Sequence, residues 1–351
     1  MPVSHIARST WARSLRPYLA ALLLTFAIGL GMPAGSALAQ ADGMSQEGTG
    51  SNPTAQSVNE AQLLEELGRI EGRVTIPNER AGLLEQEHGR DYRAFHEGAL
   101  PWITGIAILG MLAILILFLL IRGRIRMDVY SGIKIIRFNW FERFNHWMTA
   151  TAFIVLALTG VNYVFGKRLL MPILGPDAFS DWSAFAKMAH NFMSWPFMVG
   201  IAIMLLLWVK DNFPDRYDWA WVRAGGGFFN NSHPPAARFN AGQKLIFWTV
   251  ILGGAALSAS GIVMLFPFAL ADIGGMQLAQ YIHAVTGVIM FAIILAHIYI
   301  GSIGQEGAFD AMGNGEVDLA WAEAHHRVWV DEQQAKTASG PQLGQGQVPA
   351  E

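Results

Sequence analysis

Five stretches of this chain, roughly 100–121, 147–166, 192–209, 245–270 and 281–303, are apolar over about the length needed to cross a bilayer. Few folds survive that constraint. Backbone groups in hydrocarbon have to be hydrogen-bonded internally, so each stretch reads as a membrane-spanning helix. Composition agrees: the chain is 52% hydrophobic and only 15% charged, with a mean hydropathy of +0.32, outside the range of ordinary soluble proteins. The expected class is all-α and integral to the membrane.

The flanking charges orient these spans. Arg122, Arg124 and Arg126 follow the first, and Lys134, Arg137 and Arg143 precede the second. This loop therefore reads as cytoplasmic by the positive-inside rule. Counting onward, the loop near 167–190 is expected to be periplasmic, 210–244 cytoplasmic, 271–280 periplasmic and the tail from about 304 cytoplasmic. Residues 1–39 give the same parity. They combine Arg8, Arg13 and Arg16, an apolar core from Tyr18 to Leu30, and Ala37-Leu38-Ala39 before Gln40, the parts of a secretory signal peptide. Residues 40–60 read as a flexible tether, and Ala61–Leu67 as a short amphipathic stretch able to dock. The divisions implied are a signal at 1–39, a periplasmic segment at 40–99, an additional transmembrane helix at 100–122, a cytoplasmic linker at 123–145, a four-helix domain at 146–303 and a cytoplasmic tail at 304–351.

A net charge of −3, with basic residues beside the spans rather than in one patch, gives no reason to expect nucleic acid; the partner implied is membrane lipid. The chain has no cysteine. Thiolate-held clusters, thioether-attached haem and disulfides therefore have no ligands here, and a redox centre would rest on histidine or methionine or belong to a partner.

Histidine is where the chemistry collects. His283 and His297 lie fourteen residues apart in the last apolar stretch. On a helix they leave nearly the same face, displaced by about 40° and separated by roughly 21 Å along the axis. His146 opens the second span on the inner side, and His190 opens the third on the outer side. Depth then pairs His190 with His283 near the outer surface and His146 with His297 near the inner one. Neutral imidazoles on both axial faces hold haem iron without an open site, which favours electron transfer. The fold expected is thus a four-helix transmembrane bundle holding two haems b, with one additional N-terminal transmembrane helix and a small periplasmic segment. Gly160, Gly253, Gly254, Gly261 and Gly287 are small residues that would admit a macrocycle, or equally allow close helix packing. The other histidines, His5, His88, His96, His233, His325 and His326, read as surface residues.

Before the fourth span runs Arg238-Phe-Asn-Ala-Gly-Gln-Lys244. Asn240 with Gln243 has the form of a capping box. The same helix start, with permissive Gly242, also offers amide donors to a quinone carbonyl beside the inner site.

Together Arg143-Phe-Asn-His146-Trp, Met188-Ala-His190, Arg238–Trp248, Ile282-His283-Ala-Val-Thr-Gly287, Leu295-Ala-His297-Ile-Tyr299 and the tail Trp321–Trp329 resemble the cytochrome b (gamma) subunit of respiratory membrane-bound formate dehydrogenase, over about residues 134–335. The front end resembles longer versions of that subunit. The resemblance implies an electron-transfer subunit of a formate:quinone oxidoreductase, with no formate site of its own, in the bacterial inner membrane. Its partners would be an iron–sulfur (beta) subunit and a molybdenum or tungsten catalytic (alpha) subunit. Electrons would pass from outer to inner haem and reduce menaquinone or ubiquinone, with Asn240, Gly242 and His297 at the quinone site. A cytochrome b of a membrane-bound hydrogenase or of a thiosulfate or polysulfide reductase is the alternative donor assignment. A haem-free anchor or transporter is the alternative of a different class.

Overall fold

The structure is a computed structural model that describes residues 89–127, 129–228 and 234–339. The signal, the tether, the docking stretch, His5, His88 and His233 lie outside the described residues. Among the described residues five helices are long and apolar enough to cross a membrane. Their continuous portions are α1 (Leu100–Arg122), α2 (Trp140–Leu169), α3 (Pro176–Trp208), α4 (Ala241–Leu265) and α5 (Ile273–Tyr299).

Most of these helices outrun their apolar cores, because local capping chemistry sets the ends. Asn139 caps α2: its side chain accepts from the amides of Phe141 and Glu142, and the Glu142 carboxylate accepts from the Asn139 amide. Asp272 caps α5 by accepting from the Gly275 amide at 2.8 Å. His146 therefore sits in the second turn of α2, and His190 well inside α3 rather than at its start. At the other extreme α4 stops at Leu265, five residues before the apolar run does, and Phe268 follows at φ 61°.

Lateral order follows from packing. α2 lies chiefly on α3, α4 on α5, and α3 also on α4, while α1 lies on the outside of α5. α2 and α3 pack tightly at Gly200, whose carbonyl accepts from the fully buried Asn145 side chain at 3.0 Å. A Cβ at Gly200 would overlap Thr149 Oγ1 and lie 3.1 Å from Thr149 Cβ. Thr149 is held in place by its own bond to the Asn145 carbonyl at 2.7 Å. Gly200→Ala is accordingly expected to destabilise by about 1–3 kcal/mol through overpacking. Adding Thr149→Ala should recover part of that loss in a thermal melt of the purified protein; no recovery would rule out this contact as the cause.

One end of the bundle carries a small capping structure, and we call it the sheet end. The segment before α2 forms β1 (Lys134–Ile136), which pairs antiparallel with β2 (Glu316–Asp318) from the tail, Ile135 opposite Val317. The tail also contributes α6 (Ala308–Gly313), whose last carbonyls hold α2: Met312 accepts from the Trp147 indole at 2.9 Å and Gly313 from Arg143 at 3.0 Å. Linker and tail, separate along the sequence, thus share one layer.

The tail ends in α7 (Leu319–Ser339), bent at His326 (φ −144°, ψ 45°). The bend turns His326 inward. Expected at the surface, it is instead fully buried, with Nδ1 donating to the Ala237 carbonyl at 2.9 Å. Its neighbour Arg137 is also buried, over the Trp329 ring at 4.4 Å. Burial and the adjacent Arg238 charge push the Arg137 guanidinium down to about 9, so it stays cationic at neutral pH. Burial first, then the Arg137 charge, hold His326 well below the ordinary histidine range. Its contribution to tail docking is therefore complete above the undocked value of about 6.5 and is lost as pH falls below it. Amide exchange in α7, corrected for intrinsic rates, should rise on acidification through that value. In His326→Asn, which can still donate to Ala237, the rise should disappear.

Candidate functional site

Two imidazole pairs face each other at two depths. The His146 and His297 rings, from α2 and α5, have centroids 6.2 Å apart with planes at 60°. The His190 and His283 rings, from α3 and α5, have centroids 6.1 Å apart with planes at 56°. These are the pairs expected from depth alone. α5 supplies one ring to each, and its fourteen-residue spacing sets the levels roughly 21 Å apart.

The separations match one particular chemistry. Two imidazole nitrogens bound to a shared metal at about 2.0 Å each place the ring centres roughly 6 Å apart, whereas a direct imidazole hydrogen bond would draw them closer. Gly160 lies beside His190, where a Cβ would stand 3.9 Å from the ring, and Gly261 beside His283, where it would stand 3.5 Å from it. Small residues thus flank both rings of this pair. Gly253 and Gly254 have a different role. Their faces are taken by Met290 of α5 and Ile201 of α3, so they are packing glycines. The donor set, four neutral-capable imidazoles and no thiolate or carboxylate, fits axial ligation of haem.

Hydroxyl groups that sequence reasoning passed over support the pair at the far end. The His190 Nδ1 lies 2.7 Å from Thr159 Oγ1 of α2, and the His283 Nδ1 lies 3.0 Å from Ser260 Oγ of α4. The His146 Nδ1, by contrast, is buried and has no hydrogen-bond partner among the described residues. Serine and threonine in apolar helices usually bond their own preceding turn, so nothing in the pattern marked these two.

At the sheet end every polar residue of Arg238–Trp248 has a partner. Arg238 bridges Glu142 (2.6 Å) and Asp211 (2.7 Å), and Glu142 also accepts from the Trp208 indole at 2.7 Å. Asn240 and Gln243 form the reciprocal capping box. Lys244, only 5% exposed, pairs with Asp215 at 2.8 Å and Asp218 at 3.0 Å. The Trp248 indole donates to the Asn212 carbonyl at 2.9 Å. Gly242 lies under Trp221, where a Cβ would come within 2.7 Å of the indole. The contacts of Asn240 and Gly242 are thus with Gln243 and Trp221, and the segment clamps the start of α4 to α2 and to the loop after α3.

The chain resembles known proteins over the same region. Residues 137–315 match the family model described as prokaryotic cytochrome b561. The chain is 31% identical over 202 residues to "Formate dehydrogenase, cytochrome b556(fdo) subunit" of Escherichia coli (strain K12), covering 56% of this chain and 92% of that protein. It is 28% identical over 205 residues to "Formate dehydrogenase, nitrate-inducible, cytochrome b556(Fdn) subunit" of the same strain, covering 56% and 91%. To "Formate dehydrogenase, cytochrome b556 subunit" of Haemophilus influenzae it is 27% identical over 214 residues, covering 59% and 87%.

Proposed function

This chain belongs to the prokaryotic cytochrome b561 family, and from that premise we propose that it is the membrane-anchoring, di-haem cytochrome b subunit of a formate dehydrogenase, carrying electrons across the bilayer to quinone. Family membership makes it a multi-pass membrane protein that binds haem b. The observation that carries the rest is the stacking of two histidine pairs, each at a separation suited to an axial ligand pair, along the single helix α5. The relatives named for formate dehydrogenase supply the donor.

In this reading His190 and His283 hold one haem b, and His146 and His297 hold the other. Haem held by these histidines would supply a one-electron carrier at each level. The protein orients each ring and keeps water from the ligands through the apolar helices around them. In this reading the sheet end faces the cytoplasm and the His190–His283 level lies toward the periplasm of a bacterial inner membrane, which the positive loop charges support. There an iron–sulfur subunit, itself fed by a molybdenum or tungsten catalytic subunit, would deliver electrons. At the sheet end the start of α4, with Asn240 and Gly242, lies on the same side as His297. Backbone amides of an α-helix start are suited to quinone carbonyls, menaquinone or ubiquinone alike.

The test uses membranes holding the chain with or without its partner subunits. Formate should reduce the b-type absorbance only when the partners are present, and added quinone should reoxidise it. Reduction by hydrogen with hydrogenase subunits, and none by formate, would transfer the assignment to a hydrogenase.

A further inference from the structure

The two histidine levels are not equivalent, and the difference lies in what each ring's second nitrogen meets. The Thr159 hydroxyl is 2.7 Å from the Val155 carbonyl, one turn back on its own helix, and the Ser260 hydroxyl is 2.7 Å from the Ala256 carbonyl in the same relation. A carbonyl only accepts, and serine and threonine in helices usually bond the preceding turn, so we assign each hydroxyl proton to that carbonyl. What each presents to the neighbouring histidine is a lone pair. On that assignment the Nδ1 atoms of His190 and His283 carry the proton and donate it, at 2.7 and 3.0 Å, and the Leu156 and Leu257 carbonyls are further acceptors for these rings. With the proton on Nδ1, the Nε2 atoms of His190 and His283 would be the unprotonated nitrogens, free to hold iron. The two hydroxyls stand on different helices, α2 and α4, yet make the same bond to the two opposed rings. Thr159 lies thirteen residues beyond His146 on α2, roughly 20 Å along the axis, so one helix carries a ligand at one level and a ligand support at the other. At the sheet end the His146 Nδ1 is buried with no such acceptor among the described residues.

We propose that Thr159 and Ser260 are positioning residues that set the tautomer and raise the basicity of His190 and His283, giving the haem at that level a lower midpoint potential than the haem at the His146–His297 level. The physical cause is that an imidazole donating through Nδ1 pushes electron density toward Nε2 and stabilises the more highly charged ferric iron. Neither hydroxyl touches the iron or a substrate. Their effect is directional: the site nearest the electron source holds its electron less tightly, so transfer toward His297 runs downhill. The inference rests on the two-haem reading proposed above.

The experiment is a redox titration of the b-type absorbance in the purified holo-complex. His283→Ala first identifies which of the two titrating centres belongs to this level, by removing it. Thr159→Val and Ser260→Ala should each keep both haems and move that same centre to higher potential, additively when combined, with the other centre unmoved. Thr159→Ser, which retains the hydroxyl, should titrate like the unaltered protein. Should Thr159→Val fail to retain haem, Ser260→Ala decides alone, since it removes a single oxygen. Two retained haems with unchanged potentials, a downward shift, or an equal shift of both centres would overturn the role of the hydroxyls and leave the two-haem reading standing. A complex in which His283→Ala removes no haem would overturn that reading instead.

Discussion

Replacing His283 by alanine is expected to remove one b haem per chain, and replacing His190 to remove the same one. His146→Ala and His297→Ala should together define the other. Haem content by pyridine haemochrome should fall in every single variant from about two per chain to about one, and the lost spectral component should be common within each pair. The expectation follows from geometry on three counts. Ring centroids of 6.1 and 6.2 Å within the pairs suit two imidazoles sharing one metal. The levels are separated by almost four helical turns, roughly 21 Å, too far for one macrocycle to reach both. Each ring belongs to a different helix from its partner, so no single helix retains both ligands of a site once one is removed. Loss of the same haem from His146→Ala and His190→Ala would contradict the pairing outright. A protein without b haem would remove the electron-transfer assignment altogether.

The second large effect is expected at Arg238. Its guanidinium bridges Glu142 of α2 and Asp211 after α3 while standing before α4, so one side chain ties three helix ends together. Glu142 is only 5% exposed. Arg238→Ala would leave that carboxylate with the Trp208 indole and the Asn139 amide as its donors and with the nearby Arg137 as its remaining cation. Breaking a buried pair costs about 3–5 kcal/mol, and the partial exposure of Arg238 and the charge of Arg137 argue for the lower end of that range. Lysine cannot reproduce a planar bridge between two carboxylates, so Arg238→Lys should recover only part of the loss. Glu142→Gln removes the charge but keeps an oxygen for Trp208, and it should be milder than Arg238→Ala. Glu142 lies one turn before His146 on α2, so the damage should fall on the His146–His297 haem before the other. Thermal melts paired with the haem spectrum would show it. Equal loss of both haems would mean that Arg238 supports the bundle as a whole rather than this level.

The residues legible in the sequence and those that were not divide on physical grounds. Asn240 and Gln243 were readable as a capping box because a cap is local, three residues long and specified by side-chain chemistry. His325 and His326 were read alike as surface residues, yet a single bent residue in α7 buries His326 against Ala237. Among the five glycines considered, only tertiary neighbours separate Gly160 and Gly261, beside imidazoles, from Gly253 and Gly254, under Met290 and Ile201. Thr159 and Ser260 are ordinary small polar residues of apolar helices until the rings beside them are placed.

What the sequence determined by itself is the vertical coordinate. Each span satisfies its backbone internally, so its existence and length are properties of its own residues, and a fixed rise per residue turns sequence separation into depth. That was enough to pair His190 with His283 and His146 with His297. The lateral coordinate came only from the tertiary structure: which face of α2 meets α3, which hydroxyl reaches which ring, and how linker and tail join in one sheet. Those relations depend on side chains from different helices meeting in the plane of the bilayer, where no periodicity along one segment records the identity of its neighbour.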